Sequence, residues 1–320
     1  MGIVTVLDGF AYGGSRLSHK NGFGGPSSLQ AWNEKQVVVA GGSSGLGLHL
    51  VRTAAKHHAH ITVLGRDIER LKTACSQAMS NGAASAQCYA IDLSAPQLPS
   101  QNPANMALMP EDESNQPFMR TDPFQDWLRS ANIDLLINAV GRSDRGPAMS
   151  LALPEVTALF TDNVICSWNA IHHFLASLQR ASGTIVNIGS LAGLIAAPNL
   201  GGYGMAKHAL TGLTRQLRLE LKPSQVHVLL VLSGPILRQD GGTRYQDLIE
   251  ARGLNPASAS MPGGVKLKQI DPVALSEKIL RAADRRQLEL VVPWKAKWLA
   301  AVAAIWPSLS DKILQSVTRS

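Results

Sequence analysis

The sequence predicts an α/β fold built on a doubly wound parallel sheet, on two observations. Short β-branched runs alternate with amphipathic helical stretches, and the first run passes straight into a glycine-rich turn that opens a helix. The runs are residues 37–40, 61–64, 87–91, 135–138, 184–188, 226–232 and 288–292. Most are nearly continuous in apolar residues, as strands covered on both faces are. Helical periodicity fills the gaps over residues 45–59, 154–179, 204–221 and 272–284. A single domain over 34–290 is expected, followed by an amphipathic C-terminal helical extension over 291–320.

Three segments interrupt the alternation. Residues 1–33 hold seven glycines and no period, which predicts a flexible arm or an over-extended gene start. They show no secretory pattern, and Val6 stands where a myristoylation motif needs Ser or Thr. Residues 94–122 carry Pro96, Pro99, Pro103, Pro110 and Pro117 among Ser, Asn and Gln, which predicts an irregular surface insertion. Residues 237–268, with Gly241, Gly242, Gly253, Pro256, Pro262, Gly263 and Gly264, are also irregular.

Composition narrows the class. The 320 residues are 45% hydrophobic and 17% charged, which excludes a disordered chain, a collagen-like repeat and a coiled coil. No apolar run approaches the ~18 residues of a transmembrane helix. Cys75, Cys88 and Cys166 lack the number and spacing of a disulfide framework or zinc site, so no metal and a reducing, cytoplasmic setting are expected. The net charge is +7, and from Lys266 onward ten Lys/Arg face five Asp/Glu. No nucleic-acid-binding module accompanies that charge, so no nucleic-acid partner is expected. An anionic membrane surface and a plain solvated face both remain open.

The first strand runs into Gly41-Gly42-Ser43-Ser44-Gly45-Leu46-Gly47. Small residues there let the backbone approach a pyrophosphate, and the helix that follows offers unpaired N–H groups and partial positive charge. The sheet is therefore expected to be Rossmann-like. At the end of the second strand an acid would bind the adenosine ribose 2′-OH and repel a 2′-phosphate. That position, eighteen residues past Gly47, is Gly65, and Arg66 follows it. A guanidinium beside a vacant acid site suits a 2′-phosphate, with Ser43 or Ser44 adding a hydroxyl, so NADP(H) is the expected cofactor. The competing reading makes Arg66 a surface residue and has Asp67 act as the acid one position late.

Tyr203 and Lys207 lie four residues apart, on one face of a helix. A nearby ammonium favours phenolate, and a phenol so tuned can give a proton to a carbonyl oxygen or take one back.

Together these segments resemble the short-chain dehydrogenase/reductase family over about residues 35–290. The family's Thr-Gly-x-x-x-Gly-x-Gly loop corresponds to residues 40–47, with Ala40 replacing the threonine. Its adenine-binding acid matches Asp92 in Ile91-Asp92-Leu93, and its Asn-Asn-Ala-Gly motif survives as Asn138-Ala139 with Val140 and then Gly141. Its catalytic asparagine matches Asn163, its serine Ser190, and its Pro-Gly-x-Val stretch Ser233-Gly234-Pro235-Ile236. The resemblance implies an NADP(H)-dependent oxidoreductase that interconverts a carbonyl and an alcohol. Tyr203 is then the acid/base, and Ser190 polarises the substrate oxygen. Lys207 lowers the tyrosine pKa and binds the nicotinamide ribose, Asn163 holds a helix distortion and a proton-relay water, and the Ile236 backbone fixes the carboxamide. It also implies a homodimer or homotetramer, and a mobile lid over 237–268. A non-catalytic NADP(H) sensor or a membrane-surface scaffold are the alternatives.

Weaker features complete the reading. His57, His58 and His60 are expected to complement a helix C-terminus, and His172 and His173 to pack. Arg238 and Arg244 either meet an acidic substrate group or are solvated. The stretch 293–307, an apolar helix flanked by Lys and Trp, fits an interfacial position on a membrane through 291–315 or burial at a subunit interface or over the pocket. Membrane contact would favour a lipophilic substrate such as a steroid, retinoid or acyl-chain ketone.

Overall fold

Among the described residues, seven strands are present: β1 (Gln36–Ala40), β2 (His60–Gly65), β3 (Ser85–Ala90), β4 (Leu135–Asn138), β5 (Thr184–Ile188), β6 (His227–Ser233) and β7 (Glu289–Val292). In the computed structural model they form one sheet in the order β3-β2-β1-β4-β5-β6-β7, parallel throughout. The structure describes residues 30–95, 123–196, 199–238, 245, 249, 250, 252, 253 and 268–318. The chain winds outward from β1 to β3, then returns to place β4 on the other side of β1. That reversal opens a crevice at the carboxyl ends of β1 and β4, where ligands of doubly wound folds bind.

The helices are α1 (Gly45–Ala55), α2 (Ile68–Ser80), α3 (Pro123–Ser130), α4 (Leu153–Phe160), α5 (Cys166–Ala181), α6 (Gly201–Glu220), α7 (Pro272–Asp284), α8 (Ala296–Ile305) and α9 (Pro307–Thr318). Strand residues alternate between two cores, as a side-chain period of two requires. Val37 and Val39 join Leu50 and Val51 of α1, Leu71 of α2 and Leu275 and Ile279 of α7. Val38 faces the other way, to Leu128 of α3 and Phe174 and Leu178 of α5. The sheet is thus covered on both faces, which is why the strands read as apolar runs.

Two helices depart from their expected bounds, and a third stretch carries the distortion that the resemblance implies at Asn163. The helical stretch 154–179 is two helices joined by a π turn at Thr161–Ile165. Its cause is local: the Asn163 side-chain amide donates to the Leu159 carbonyl at 2.9 Å, taking the acceptor that its own backbone N–H would use. Helix α6 begins at Gly201, three residues earlier than expected. Cβ atoms on Gly201 and Gly202 would lie 2.4 Å from Ala148 Cα and 2.5 Å from Leu159 Cδ1, so both glycines sit inside the first turn, where it presses on its neighbours. Helix α1 stops at Ala55, and His58 turns the chain through a φ of 58°.

Of the expected arm, residues 1–29 lie outside the described residues, while Gln30–Trp32 form a 3₁₀ turn and Trp32 is buried against the α1 side of the core. Residues 96–122 of the insertion and most of 237–268, including Arg244 and its paired glycines, are likewise outside the described residues. No described helix is long and apolar enough to cross a membrane.

Candidate active site

The phosphate loop is shaped by two backbone approaches. Gly41 has φ +77°, and Gly47 packs so closely that a Cβ there would stand 2.1 Å from the Gly41 carbonyl oxygen. Gly45, at the start of α1, has φ +52°, and a Cβ there would meet nothing within 4 Å, so the helix N-terminus faces open space. Leu46 is half-buried against the core. Ser44 occupies the N-cap position of α1 but makes no side-chain capping bond. The Ser43 hydroxyl lies 3.5 Å from where a Cβ of Gly65 would be, an ordinary contact distance that places it beside the end of β2. A cradle with exposed N–H groups and two serine hydroxyls fits a dinucleotide pyrophosphate.

Arg66 is exposed at the end of β2, and its charge acts on Asp92 and Cys166. Asp67 is committed elsewhere: its carboxylate accepts from the Glu69 and Arg70 amides, both at 3.1 Å, as the N-cap of α2. Asp92 accepts from the Ser94 hydroxyl at 2.6 Å and amide at 3.0 Å, and those bonds hold its pKa below the usual range. Leu93 beside it is buried, and its carbonyl accepts from Asn169 at 2.7 Å. Ala139 donates its amide to the Ala40 carbonyl at 2.9 Å, which ties β4 to the mouth of the loop.

Asn138, Ser190, Lys207 and Tyr203 come together across β4, β5 and α6. Asn138 donates to Asn187 Oδ1 at 2.8 Å, and Asn187 donates to Thr214 Oγ1 of α6 at 3.0 Å. Lys207 is buried and donates to the Ile188 carbonyl at 2.9 Å, two residues before Ser190. Ser190 accepts from the Ala192 amide at 3.1 Å and shares a hydrogen bond with the Tyr203 hydroxyl. Asn163 donates to the Arg142 carbonyl at 2.8 Å, and its Oδ1 is buried with no hydrogen-bond partner. A Cβ on Gly141, whose φ is +154°, would lie 2.6 Å from that Oδ1 and 3.4 Å from Lys207 Nζ, so a side chain there would press on the Asn163 amide. Ile236 forms a short parallel bridge with Ile270, which uses the Pro235 carbonyl and the Leu237 amide and leaves the Ile236 amide and carbonyl outside it.

Electrostatically the site departs from the sequence expectation. Burial pushes the Tyr203 phenol above its ordinary value; the Ser190 bond and the Arg145 charge pull it the other way. Burial also pushes Lys207 down to about 8. The Lys207 nitrogen is 5.7 Å from the Tyr203 ring centre and donates to the Ile188 carbonyl, while the Arg145 charge draws the phenol down.

Arg145 belongs to a cluster that the sequence reading missed. It is buried, with its guanidinium 3.8 Å over the Tyr245 ring. Asp144 accepts from the Tyr203 amide at 3.3 Å, which anchors the first turn of α6. Arg252 donates to the Arg145 carbonyl at 2.6 Å and pairs with Asp144 at 3.8 Å and with Glu155. Tyr245 and Arg252 thereby tether the 237–268 segment to the loop before α4. No local pattern could signal this, because Arg252 meets residues about a hundred positions away.

The histidines have ordinary partners. His58 and His60 lie 3.2 and 2.9 Å from Glu34, and His57 lies 3.7 Å from Glu277. His173 is buried and stacks on Phe124 with 5.0 Å between ring centres, while His172 stacks on Trp168 at 5.1 Å. Arg238 lies at the surface. Among the described residues no group of three His, Cys, Asp or Glu is placed to hold a metal.

The family model described as short chain dehydrogenase matches residues 35–101 and 125–245, which together make up more than half of the chain. The chain belongs to the short-chain dehydrogenase/reductase family. An NADPH-dependent 1-acyldihydroxyacetone phosphate reductase of Saccharomyces cerevisiae is 30% identical over 66% of this chain, and the match spans 64% of that protein's length. A hydroxysteroid 11-beta-dehydrogenase 1-like protein of Xenopus laevis is 26% identical, with 88% of this chain and 85% of that one covered. A short-chain dehydrogenase from Sphingobium yanoikuyae, solved in complex with NADPH, superposes with a TM-score of 0.61 at 22% identity, covering 87% of this chain and 96% of its own. That likeness is one of fold. In this short-chain dehydrogenase/reductase the loop around Gly47 is the most constrained part of the site. Gly47→Ala is expected to cost about 1–3 kcal/mol of stability and to abolish tight NADPH binding, as read by urea unfolding and by NADPH fluorescence titration. Wild-type affinity in the variant would show that the loop does not hold the phosphates.

Proposed function

We propose that this short-chain dehydrogenase/reductase is an NADP(H)-dependent carbonyl reductase or alcohol dehydrogenase acting on a lipophilic substrate. The observation that carries the proposal is the convergence of Ser190, Tyr203, Lys207 and Asn163 at the carboxyl end of β5. When bound, the nicotinamide dinucleotide supplies or accepts the hydride. The chain's own groups bind, orient and move the proton.

Gly41, Ser43, Ser44, Gly45, Leu46 and Gly47 hold the pyrophosphate, and Asp92, Leu93, Asn138 and Ala139 frame the adenine side. Arg66 and Ser43, across the vacancy at Gly65, receive the 2′-phosphate. Support for that choice comes from Asp67, whose carboxylate is occupied in capping α2 and does not present an acid to the ribose. The yeast relative's NADPH dependence agrees with it. Lys207 and Tyr203 face the nicotinamide ribose, and the Ile236 backbone orients the carboxamide.

Ser190 positions the substrate oxygen and Tyr203 gives it a proton. A phenol raised by burial is protonated at neutral pH, which is the form a reduction needs. Lys207 and the Asn163 Oδ1 both flank Gly141; Lys207, linked to solvent by a water that the Asn163 Oδ1 holds, returns the proton to the phenol. The acyl and steroid names of the yeast and frog relatives support a lipophilic substrate.

Turnover should be measured with NADPH and NADH against steroid, retinoid, acyl-chain and small aromatic carbonyls. NADPH oxidation is expected, with Tyr203→Phe reduced at least a hundredfold in kcat, in line with the ~10²–10⁴ of general acid catalysis. NADPH binding without turnover on any carbonyl would overturn the assignment in favour of a sensor. Arg66→Gln is expected to weaken NADPH by roughly tenfold or more, for the loss of a charge-assisted pair, and to leave NADH unchanged; equal loss for both cofactors would remove the 2′-phosphate role. The pH profile follows from Lys207. A group with a pKa of about 8 is charged below that pH and neutral above it, so reductive kcat/KM should fall as pH rises through about 8. Lys207→Arg should lack that limb, because a guanidinium keeps its proton; a limb at the same pH in the variant would assign it to another group.

A further inference from the structure

Helix α8 is at odds with its position. Its sequence, AKWLAAVAAI, is almost wholly apolar, yet none of its residues is buried. Trp298 and Ile305 are 69% and 67% exposed, and Trp294 just before the helix and Trp306 just after it are 63% and 62% exposed. Trp294, Trp298, Ala301 and Ile305 succeed one another at intervals of four, three and four residues, and all four are exposed. They form one apolar stripe along the outer side of the helix, where a surface helix normally carries charge. Single exposed apolar side chains need no explanation, whereas a contiguous stripe marks a surface that something covers.

Charge identifies what covers it. Lys295 and Lys297 are exposed at the start of the stripe, and the last 55 residues carry ten Lys/Arg against five Asp/Glu. Protein–protein interface cores are depleted of lysine, whereas a helix lying in a bilayer interface combines an apolar face, flanking lysines and tryptophans at the headgroup level. Ten residues of helix reach about 15 Å, half the hydrocarbon thickness, so α8 can lie in a membrane surface but not cross it. From these observations we propose that α8 docks this protein onto an anionic phospholipid surface, with Trp294, Trp298 and Ile305 inserted and Lys295 and Lys297 at the headgroups.

The surface stands independently of the reductase reading, but its placement bears on that reading. Helix α8 leaves the sheet from the carboxyl end of β7, the same edge at which Ser190 follows β5. Ala296 packs on the same Leu230, Leu232 and Val291 cluster as Leu191 and Leu194, which follow Ser190 in the chain. Docking therefore holds the substrate side of the sheet toward the bilayer, where a lipophilic carbonyl resides.

The test is flotation of the full chain with vesicles of phosphatidylcholine alone and of phosphatidylcholine mixed with phosphatidylglycerol, alongside light scattering without vesicles. The protein is expected to float with the mixed vesicles and to remain below with the neutral ones. Lys295→Gln with Lys297→Gln should weaken partitioning about 25-fold, at about fivefold per lysine. Trp298→Ser with Ile305→Ser should abolish flotation while keeping the wild-type unfolding midpoint and NADPH affinity, since neither side chain is buried. The proposal fails if the wild-type chain stays below with both vesicle types, or if the serine variant floats as well as wild type. It also fails if the serine variant has a smaller molar mass without vesicles, because the stripe then belongs to a second copy. None of these readouts requires turnover, so loss of the reductase assignment would leave them unchanged.

Discussion

The site rests on a line of buried hydrogen bonds that runs from β4 through β5 into α6. Asn138 donates to Asn187, Asn187 donates to Thr214, and the Thr214 hydroxyl donates to the Leu210 carbonyl at 2.6 Å. All three side chains are buried, and a polar group that loses its partner in an apolar interior is costly. A slide of α6 along the sheet would break the Asn187–Thr214 bond and leave the Asn187 amide unpaired, at a cost of about 1–3 kcal/mol. The helix that carries Tyr203 and Lys207 therefore has one register against the strands, and the Lys207 bond to the Ile188 carbonyl holds the same register from the other end.

Burial sets the chemistry that this register makes possible. The same loss of water pushes the phenol up and the ammonium down, so both groups are moved toward their neutral forms. A neutral phenol is a ready proton donor, and an amine near 8 exchanges protons at working pH without holding them. What opposes the drift at Tyr203 is a hydrogen bond from one side and a guanidinium from the other. That guanidinium comes from Arg145, which is itself held under the Tyr245 ring and behind Arg252. The loop before α4, with Tyr245 and Arg252 packed on it, thus acts on Tyr203 through the Arg145 charge. The site's proton affinity depends on residues far apart in the chain.

Features that depend on neighbours within a few residues were legible. The strands, the glycine loop, the Tyr203–Lys207 spacing, Arg66 after Gly65 and the position of Asn163 all follow from local period or local motif. The π turn at Thr161–Ile165 arises from Asn163 bonding to Leu159 four residues back, yet no propensity distinguishes that from an unbroken helix. Asp67 could be read as a ribose-binding acid one position late; the helix that follows it gives its carboxylate a capping role. The early start of α6 was hidden because Gly201 and Gly202 read as a turn, and only contact with Ala148 and Leu159 shows why they are helical.

The sequence by itself determined the order of strands and helices, the family, the glycine-rich turn between β1 and α1 and the positions of Asn163, Ser190, Tyr203 and Lys207, because each is written in periodicity or in a short motif. Tertiary structure alone decided that burial raises the Tyr203 phenol, what Asp144, Arg145 and Arg252 contact, and that α8 keeps its apolar side outward. Those outcomes depend on burial and on contacts across a hundred residues, and desolvation and long-range charge have no local signature in a chain.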